Sequence, residues 1–185
     1  AVLGIMDVPA WLNILVTVFC CTFFINVFNF VDGIDGLACV LTILYCGMLA
    51  FFFINTGFKP LEGIIVALFA LIGATAGLLY YNRAPARIYM GDTGSMFLGF
   101  SIFSISLAFI SIYKDPEIVQ EQRWMLVHGP HQAVIFSFAM LLMPAFDGIR
   151  VFVLRMFRGI SPFKADRTHL HYYLLDAGCT HTKAV

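Results

Sequence analysis

VPAWLNILVTVFCCTFFINVFNFVDGIDG, residues 8–36, carries both the fold and the chemistry of this chain. No charged side chain occurs between positions 8 and 31. Directly beyond stand Asp32 and Asp35, each followed by a glycine. A membrane-spanning helix needs about 20 mainly apolar residues, because a rise of about 1.5 Å per residue must cross about 30 Å of hydrocarbon. The first part of the stretch meets that requirement, and the second ends it in acid and glycine.

The rest of the chain has the same character. Of its 185 residues 61% are hydrophobic, 16% aromatic and 12% charged, and mean hydropathy is +0.89. A water-soluble domain carries about 25% charged residues, so the solvent here is lipid. Further spans are predicted over 37–56, 63–81, 95–113 and 132–154, the last with charges in its final turns. The expected fold is all-α: a polytopic transmembrane helix bundle of about five spans, forming one membrane-embedded domain over 1–185. Beginning at Ala1 and entering a span almost at once, the chain reads as an internal fragment whose N-terminal spans are missing. Cys20, Cys21, Cys39 and Cys46 fall inside spans and, with Cys179, read as small apolar packing residues. Gly73 and Gly77 form a small-xxx-small pair suited to close helix packing. Asp147 and Arg150, three apart, read as a pair.

Net charge is zero, which implies no bulk attraction to nucleic acid. The cations are unevenly placed, however. Alternating five spans puts 30–36, 82–94 and 155–185 on one side, with Arg83, Arg87, Arg155, Arg158, Lys164, Arg167 and Lys183. The other side holds Lys59, Lys114 and Arg123. The positive-inside tendency makes the first side cytoplasmic, and it gathers Asp32, Asp35, Asp92, Asp166, His169 and His171.

Three polar groups stand on that side. Asn26, Asn29, Asp32 and Asp35 recur every three residues and would follow one slowly drifting helix face. At membrane depth such groups need a cavity, a cation or a polar ligand; the alternative is a helix end solvated among headgroups. The second group runs from Asn82 through Tyr89 to Gly91-Asp92-Thr93-Gly94-Ser95. It offers oxygen donors beside the free N–H groups of a helix start, suited to a hard cation with phosphate, although an ordinary N-cap reads the same way. The third is Arg167-Thr-His169-Leu-His171-Tyr172, able to bind phosphate, handle protons or, if extended, hold a metal; a solvated tail is the plain alternative. His128 and His131 lie on the opposite side and contact water or headgroups.

NVFNFVDGIDGLA, NRAPARIYMGDTGSMFLGF and ISPFKADRTHLHYYLLDAG, in that order and two spans apart, resemble the polyprenyl-phosphate N-acetylhexosamine-1-phosphate transferases. The tail is more similar to the bacterial undecaprenyl-phosphate GlcNAc-1-phosphate transferases than to the phospho-MurNAc-pentapeptide translocases. The resemblance implies transfer of HexNAc-1-phosphate, GlcNAc-1-phosphate first, from a UDP-sugar to undecaprenyl or another polyprenyl phosphate. UMP is released, and the lipid diphosphate sugar initiates a cell-envelope polysaccharide such as lipopolysaccharide or teichoic acid. It implies Mg²⁺ or Mn²⁺, with Asp92 a ligand and Asn29 a neighbour or second ligand. Asp35 and Asn82 would read uracil or ribose with Asn26 nearby, Tyr89 would stack on uracil, and Asp32, Arg167, His169 and His171 would line the phosphate side. Asp32, Asp35, Asp92, His169 and His171 make up the implied catalytic set. A bacterial inner membrane, a cytoplasmic active site and a homodimer belong to the same picture. The family also has adjacent aspartates on an earlier span, which nothing before Asn26 supplies, and Tyr172 stands where many relatives have histidine. Two other readings compete: a transporter with intramembrane aspartates, and an inactive relative that only binds nucleotide-sugar.

Overall fold

The computed structural model describes residues 8–33, 35–56, 62–114, 127–157 and 159, and among them every regular element is a helix. These are α1 (Ala10–Val31), α2 (Leu37–Thr56), α3 (Glu62–Asn82), α4 (Gly91–Ile112) and α5 (Pro130–Phe157). Lipid leaves no water to bind a stray backbone group, so helices, which satisfy themselves, are what an apolar run of this length forms. The few polar side chains inside them obey the same constraint. Thr17, Thr22, Asn26, Thr42, Asn55, Thr75, Ser104, Ser106 and Ser137 each donate to the carbonyl four residues back in their own helix.

The bundle is built from α1 packed on α4 and α2 packed on α3, with α5 against α4 and α1. Its centre is aromatic. Phe24 meets Phe103 at 5.3 Å and Phe138 at 5.1 Å between ring centroids, tying α1 to α4 and α5. Phe52 meets Phe109 at 5.5 Å and Phe136 at 4.8 Å, bringing in α2. These edge-on contacts are the arrangement that ring quadrupoles favour, and in lipid they hold helices together through dispersion, since hydrocarbon removes the usual hydrophobic driving force.

One polar knot lies inside this centre. The buried Tyr45 hydroxyl stands 2.6 Å from Ser106 Oγ and donates to the Ser137 carbonyl at 3.3 Å, linking α2, α4 and α5. Interhelical hydrogen bonds in membranes contribute about 0.6 kcal/mol on average and up to about 1.7. Tyr45→Phe is therefore expected to lower unfolding free energy by about 1 kcal/mol, checked by denaturant titration in detergent micelles.

The predicted helices form, with ends moved by a few residues. Four of them, α1 to α4, are long and apolar enough to cross a membrane. The predicted fifth span is a helix too, Pro130–Phe157, and it carries Asp147, Arg150 and Arg155 towards its end. The side chain of Asp147 lies outside the described set, so its expected pairing with Arg150 does too. Among the described residues a methyl added at Gly73 or Gly77 would meet no atom within 4 Å. Both face outward because α3 packs chiefly on α2 through its other side. Cys39 and Cys46 are buried and Cys20 and Cys21 half-buried, all as free thiols, in keeping with a packing role; Cys179 lies outside the described residues.

Candidate active site

The end of α1, the start of α2, the end of α3 and the start of α4 meet at one end of the bundle. Helix α1 stops at Asp32, and the chain turns through Gly36, whose φ of +83° is strained for any residue with a side chain. A Cβ at Gly36 would also stand 3.2 Å from Leu79 Cδ1. The segment after α3 doubles back on its own helix end, with the Tyr81 carbonyl accepting from Arg87 N at 2.8 Å and from Ile88 N at 3.3 Å. This fold-back delivers Tyr89 and then Gly91, whose φ of +71° begins α4.

Two connections clamp these turns together. Asn82, only 2% exposed, accepts from Gly36 N at 2.8 Å through Oδ1 and donates to the Ile88 carbonyl at 2.9 Å through Nδ2. Asp35 Oδ2 accepts from Ala86 N at 3.0 Å. The loop carrying Asp35 and the loop carrying Tyr89 are thus fastened by backbone groups that both side chains hold.

The other seam joins α1 to α4. Asn29 Nδ2 donates to Asp92 Oδ1 and to Ser95 Oγ, both at 3.1 Å. Ser95 is buried and bonds back to the Gly91 and Asp92 carbonyls, so it cannot swing away. With the amide nitrogen held twice, the Asn29 carbonyl oxygen is fixed in direction, and no donor among the described residues reaches it. The Gly91 N–H lies near the Asp32 carboxyl. Partial burial pushes the Asp32 carboxyl up from its ordinary value; the Gly91 N–H works against that push and the nearby Asp92 carboxylate adds to it.

This geometry bears on the plain alternative for each of these two motifs. Asp92 is not an N-cap: α4 starts at Gly91, the cap position is Met90, and the Asp92 carboxylate is taken up by Asn29 from another helix. Asp32 is partly buried, with the Gly91 N–H and Asp92 beside it across the same seam. Asn26, by contrast, stays apart. It is exposed and donates to the Thr22 carbonyl of its own helix at 2.7 Å. Three residues fall about 60° short of a full helical turn, so the drift that brings Asn29 and Asp32 onto α4 carries Asn26 off that face. Tyr89 is 70% exposed, its ring free to meet a ligand. Arg167, His169 and His171 lie outside the described residues.

Gly36, Ala86, Gly91 and Ser95 also belong to the site; the sequence leads us to expect Gly36 to break the helix and admit a ligand and Ser95 to offer a hydroxyl, and gives Ala86 and Gly91 no role of their own. Three of them act through backbone N–H groups, which leave no side-chain signature; the glycines at the turns are the one trace of them in the sequence.

No cluster of three or more His, Cys, Asp or Glu side chains suited to a metal occurs among the described residues. The donor set present is of another kind: the Asp32 and Asp92 carboxylates with the oriented Asn29 carbonyl. All are hard oxygens, and a carboxyl such as Asp32, with a second carboxylate beside it, is what a divalent cation relieves. The set suits Mg²⁺ or Mn²⁺ completed by water and ligand oxygens, and does not suit a soft metal.

Fold and site together define a multi-pass membrane protein with an acidic and amide oxygen site at one end of its spans. Residues 1–110 match the pattern of glycosyl transferase family 4, and the chain belongs to that family. It is 30% identical over 176 residues to the Bacillus subtilis (strain 168) protein named "Probable undecaprenyl-phosphate N-acetylglucosaminyl 1-phosphate transferase", covering 95% of this chain and 44% of that one. It is 33% identical over 181 residues to the decaprenyl-phosphate N-acetylglucosaminephosphotransferase of Mycolicibacterium smegmatis, covering 94% and 43%. It is 42% identical over 103 residues to the phospho-N-acetylmuramoyl-pentapeptide-transferase of Chlamydia muridarum, covering 52% and 30%. The chain therefore spans less than half the length of these relatives.

Proposed function

We propose that the full-length protein transfers HexNAc-1-phosphate, GlcNAc-1-phosphate first, from a UDP-sugar to undecaprenyl or another polyprenyl phosphate at the cytoplasmic face of a bacterial inner membrane. The observation that carries this reading is the Asn29 bridge to Asp92 and Ser95, which joins two motifs more than sixty residues apart into one oxygen-lined seam. The names of the relatives support it, as does the excess of Lys and Arg on the same side.

In this reading an oxygen of the lipid phosphate attacks the phosphorus bearing the sugar. The bond from that phosphorus to the bridging oxygen breaks, and the electron pair leaves with UMP. Such transfers ask the protein mainly for alignment and for stabilisation of charge on phosphate oxygens. Asp92, Asp32 and the Asn29 carbonyl would hold Mg²⁺ or Mn²⁺, which when bound neutralises that charge. Ser95 fixes Asn29. Asp35, tied to Ala86 by Oδ2, keeps its other oxygen for ribose or uracil, while Asn82 holds the two loops that frame the nucleotide. Tyr89 offers its ring to the base. Arg167, His169 and His171 complete the phosphate side, and a homodimer is the assembly that the resemblance suggests.

The test is incubation of membranes containing the full-length protein with UDP-GlcNAc, Mg²⁺ and undecaprenyl phosphate, followed by mass spectrometry. Equal amounts of UMP and lipid diphosphate sugar are expected. Solute flux in proteoliposomes without UMP would point to a transporter instead. UDP-sugar binding without turnover would point to an inactive relative. Tyr89→Ala should leave folding intact, since the ring packs on little, and should raise KM for the UDP-sugar about tenfold, because stacking on a base contributes about 1–3 kcal/mol; steady-state kinetics checks it.

A further inference from the structure

The site seam owes its width to one residue outside every motif role assigned so far. Helices α1 and α4 run antiparallel, and their pairing is regular. Asn29 meets Ser95, and one turn towards the polar end Asp32 meets Gly91 and neighbours Asp92. One turn the other way Ile25 meets Gly99. There the two backbones come into direct contact: a Cβ on Gly99 would stand 2.8 Å from Ile25 Cα, 3.1 Å from the Phe24 carbonyl oxygen and 3.2 Å from Ile25 N.

These neighbours are backbone atoms of a helix, so no rotamer change makes room. Carbon atoms pack best at about 3.5–4.0 Å, and a methyl at Gly99 would force α1 and α4 apart by roughly 0.7 Å. Ser95 and Gly99 are thus the small pair that lets two spans touch in this protein. Ser95 touches Asn29 directly, and Gly99 lies about one turn from Ser95 and about two turns from Asp92. A shift of that size reaches the oxygen groups little diminished, because a helix is stiff over two turns.

We propose that Gly99 is a positioning residue: it sets the distance between the Asn29 and Asp32 edge of α1 and the Asp92 edge of α4, and through that distance the fit of the divalent cation and the diphosphate. This rests on the transferase reading above. Misplacement of reacting groups by about 1 Å can cost on the order of a hundredfold in rate, whereas the nucleotide loops, clamped by Asn82 and Asp35, depend on a different pair of elements. The glycine therefore acts on turnover and cation affinity, and leaves nucleotide affinity alone.

The experiment compares Gly99→Ala with Gly47→Ala and Gly73→Ala in the full-length protein. At these last two a methyl meets nothing within 4 Å. Ser95→Thr is added as a milder change on the same seam that keeps the hydroxyl. Three quantities are read per folded molecule: kcat, KM for the UDP-sugar, and Mn²⁺ retained in the absence of substrate, by electron paramagnetic resonance. Gly99→Ala should lower kcat tenfold or more and weaken Mn²⁺ retention at least fivefold, with KM within twofold. Ser95→Thr should move kcat and Mn²⁺ retention the same way by less, and the two control variants should stay within twofold. If the seam variants that fold keep wild-type kcat and Mn²⁺ retention, or if KM moves with them, Gly99 is a packing residue only and the proposal is overturned. The Mn²⁺ readout needs no turnover, so a wild-type protein that retains Mn²⁺ but transfers no sugar phosphate would defeat the transferase reading and still test the spacing.

Discussion

Asp92→Asn in the full-length protein is expected to cut sugar-phosphate transfer by at least about a hundredfold while leaving the helices in place. The carboxylate is exposed, and an amide oxygen can still accept from Asn29 Nδ2, so the seam keeps its hydrogen bond. What is lost is one negative charge facing the cation. Groups that stabilise developing charge in a transition state typically contribute 10²–10³ in rate when removed singly. KM for the UDP-sugar should change little, because Asp92 lies outside the clamp formed by Asn82 and Asp35. Product formation by mass spectrometry and thermal melting of the same preparation check both halves. Unchanged turnover would remove Asp92 from the chemistry.

Asn82→Leu carries the second large effect, and it falls on the fold. The substitution keeps the number and branching of the side-chain heavy atoms but removes the partner of the buried Gly36 N–H and of the partly buried Ile88 carbonyl. A buried group stranded in this way costs about 1–3 kcal/mol, and with the Gly36 N–H the buried one of the two, a loss of about 1–3 kcal/mol is expected in detergent unfolding. KM for the UDP-sugar should rise as well, since the loops bearing Asp35 and Tyr89 are no longer fastened. A residue that only touched the nucleotide would raise KM without lowering stability, and the two measurements together separate these roles.

The bundle was legible in the sequence because lipid imposes so few solutions: long uncharged runs must be helices, and the boundaries moved by only a few residues, outward where Glu62 or Gly91 and Asp92 joined a helix end and inward at Val8, Pro9 and Tyr113. Asn29, Asp32 and Asp92 were legible because their chemistry is out of place beside apolar spans. The contacts among them were not. Asn26 looked equivalent to Asn29 at a spacing of three, and only the rotation of α1 against α4 separates the two. Asn82 reads as a ligand-binding amide until its partners are seen to be backbone groups of Gly36 and Ile88. Gly99 looked like any glycine in a span, whereas Gly73 and Gly77, which carried the expected packing pattern, face outward. Backbone approach is decided by which helix lies opposite, and pairing of helices is the information that local periodicity lacks.

Manganese bound to the full-length protein with UDP-GlcNAc present, read by phosphorus electron–nuclear double resonance after free ion is removed, tests the oxygen site most directly. One retained Mn²⁺ per molecule with phosphorus coupling is expected, lost in Asp92→Asn and weakened in Asn29→Ala. Phosphorus-coupled Mn²⁺ held equally well by both variants would place the cation elsewhere and contradict the account.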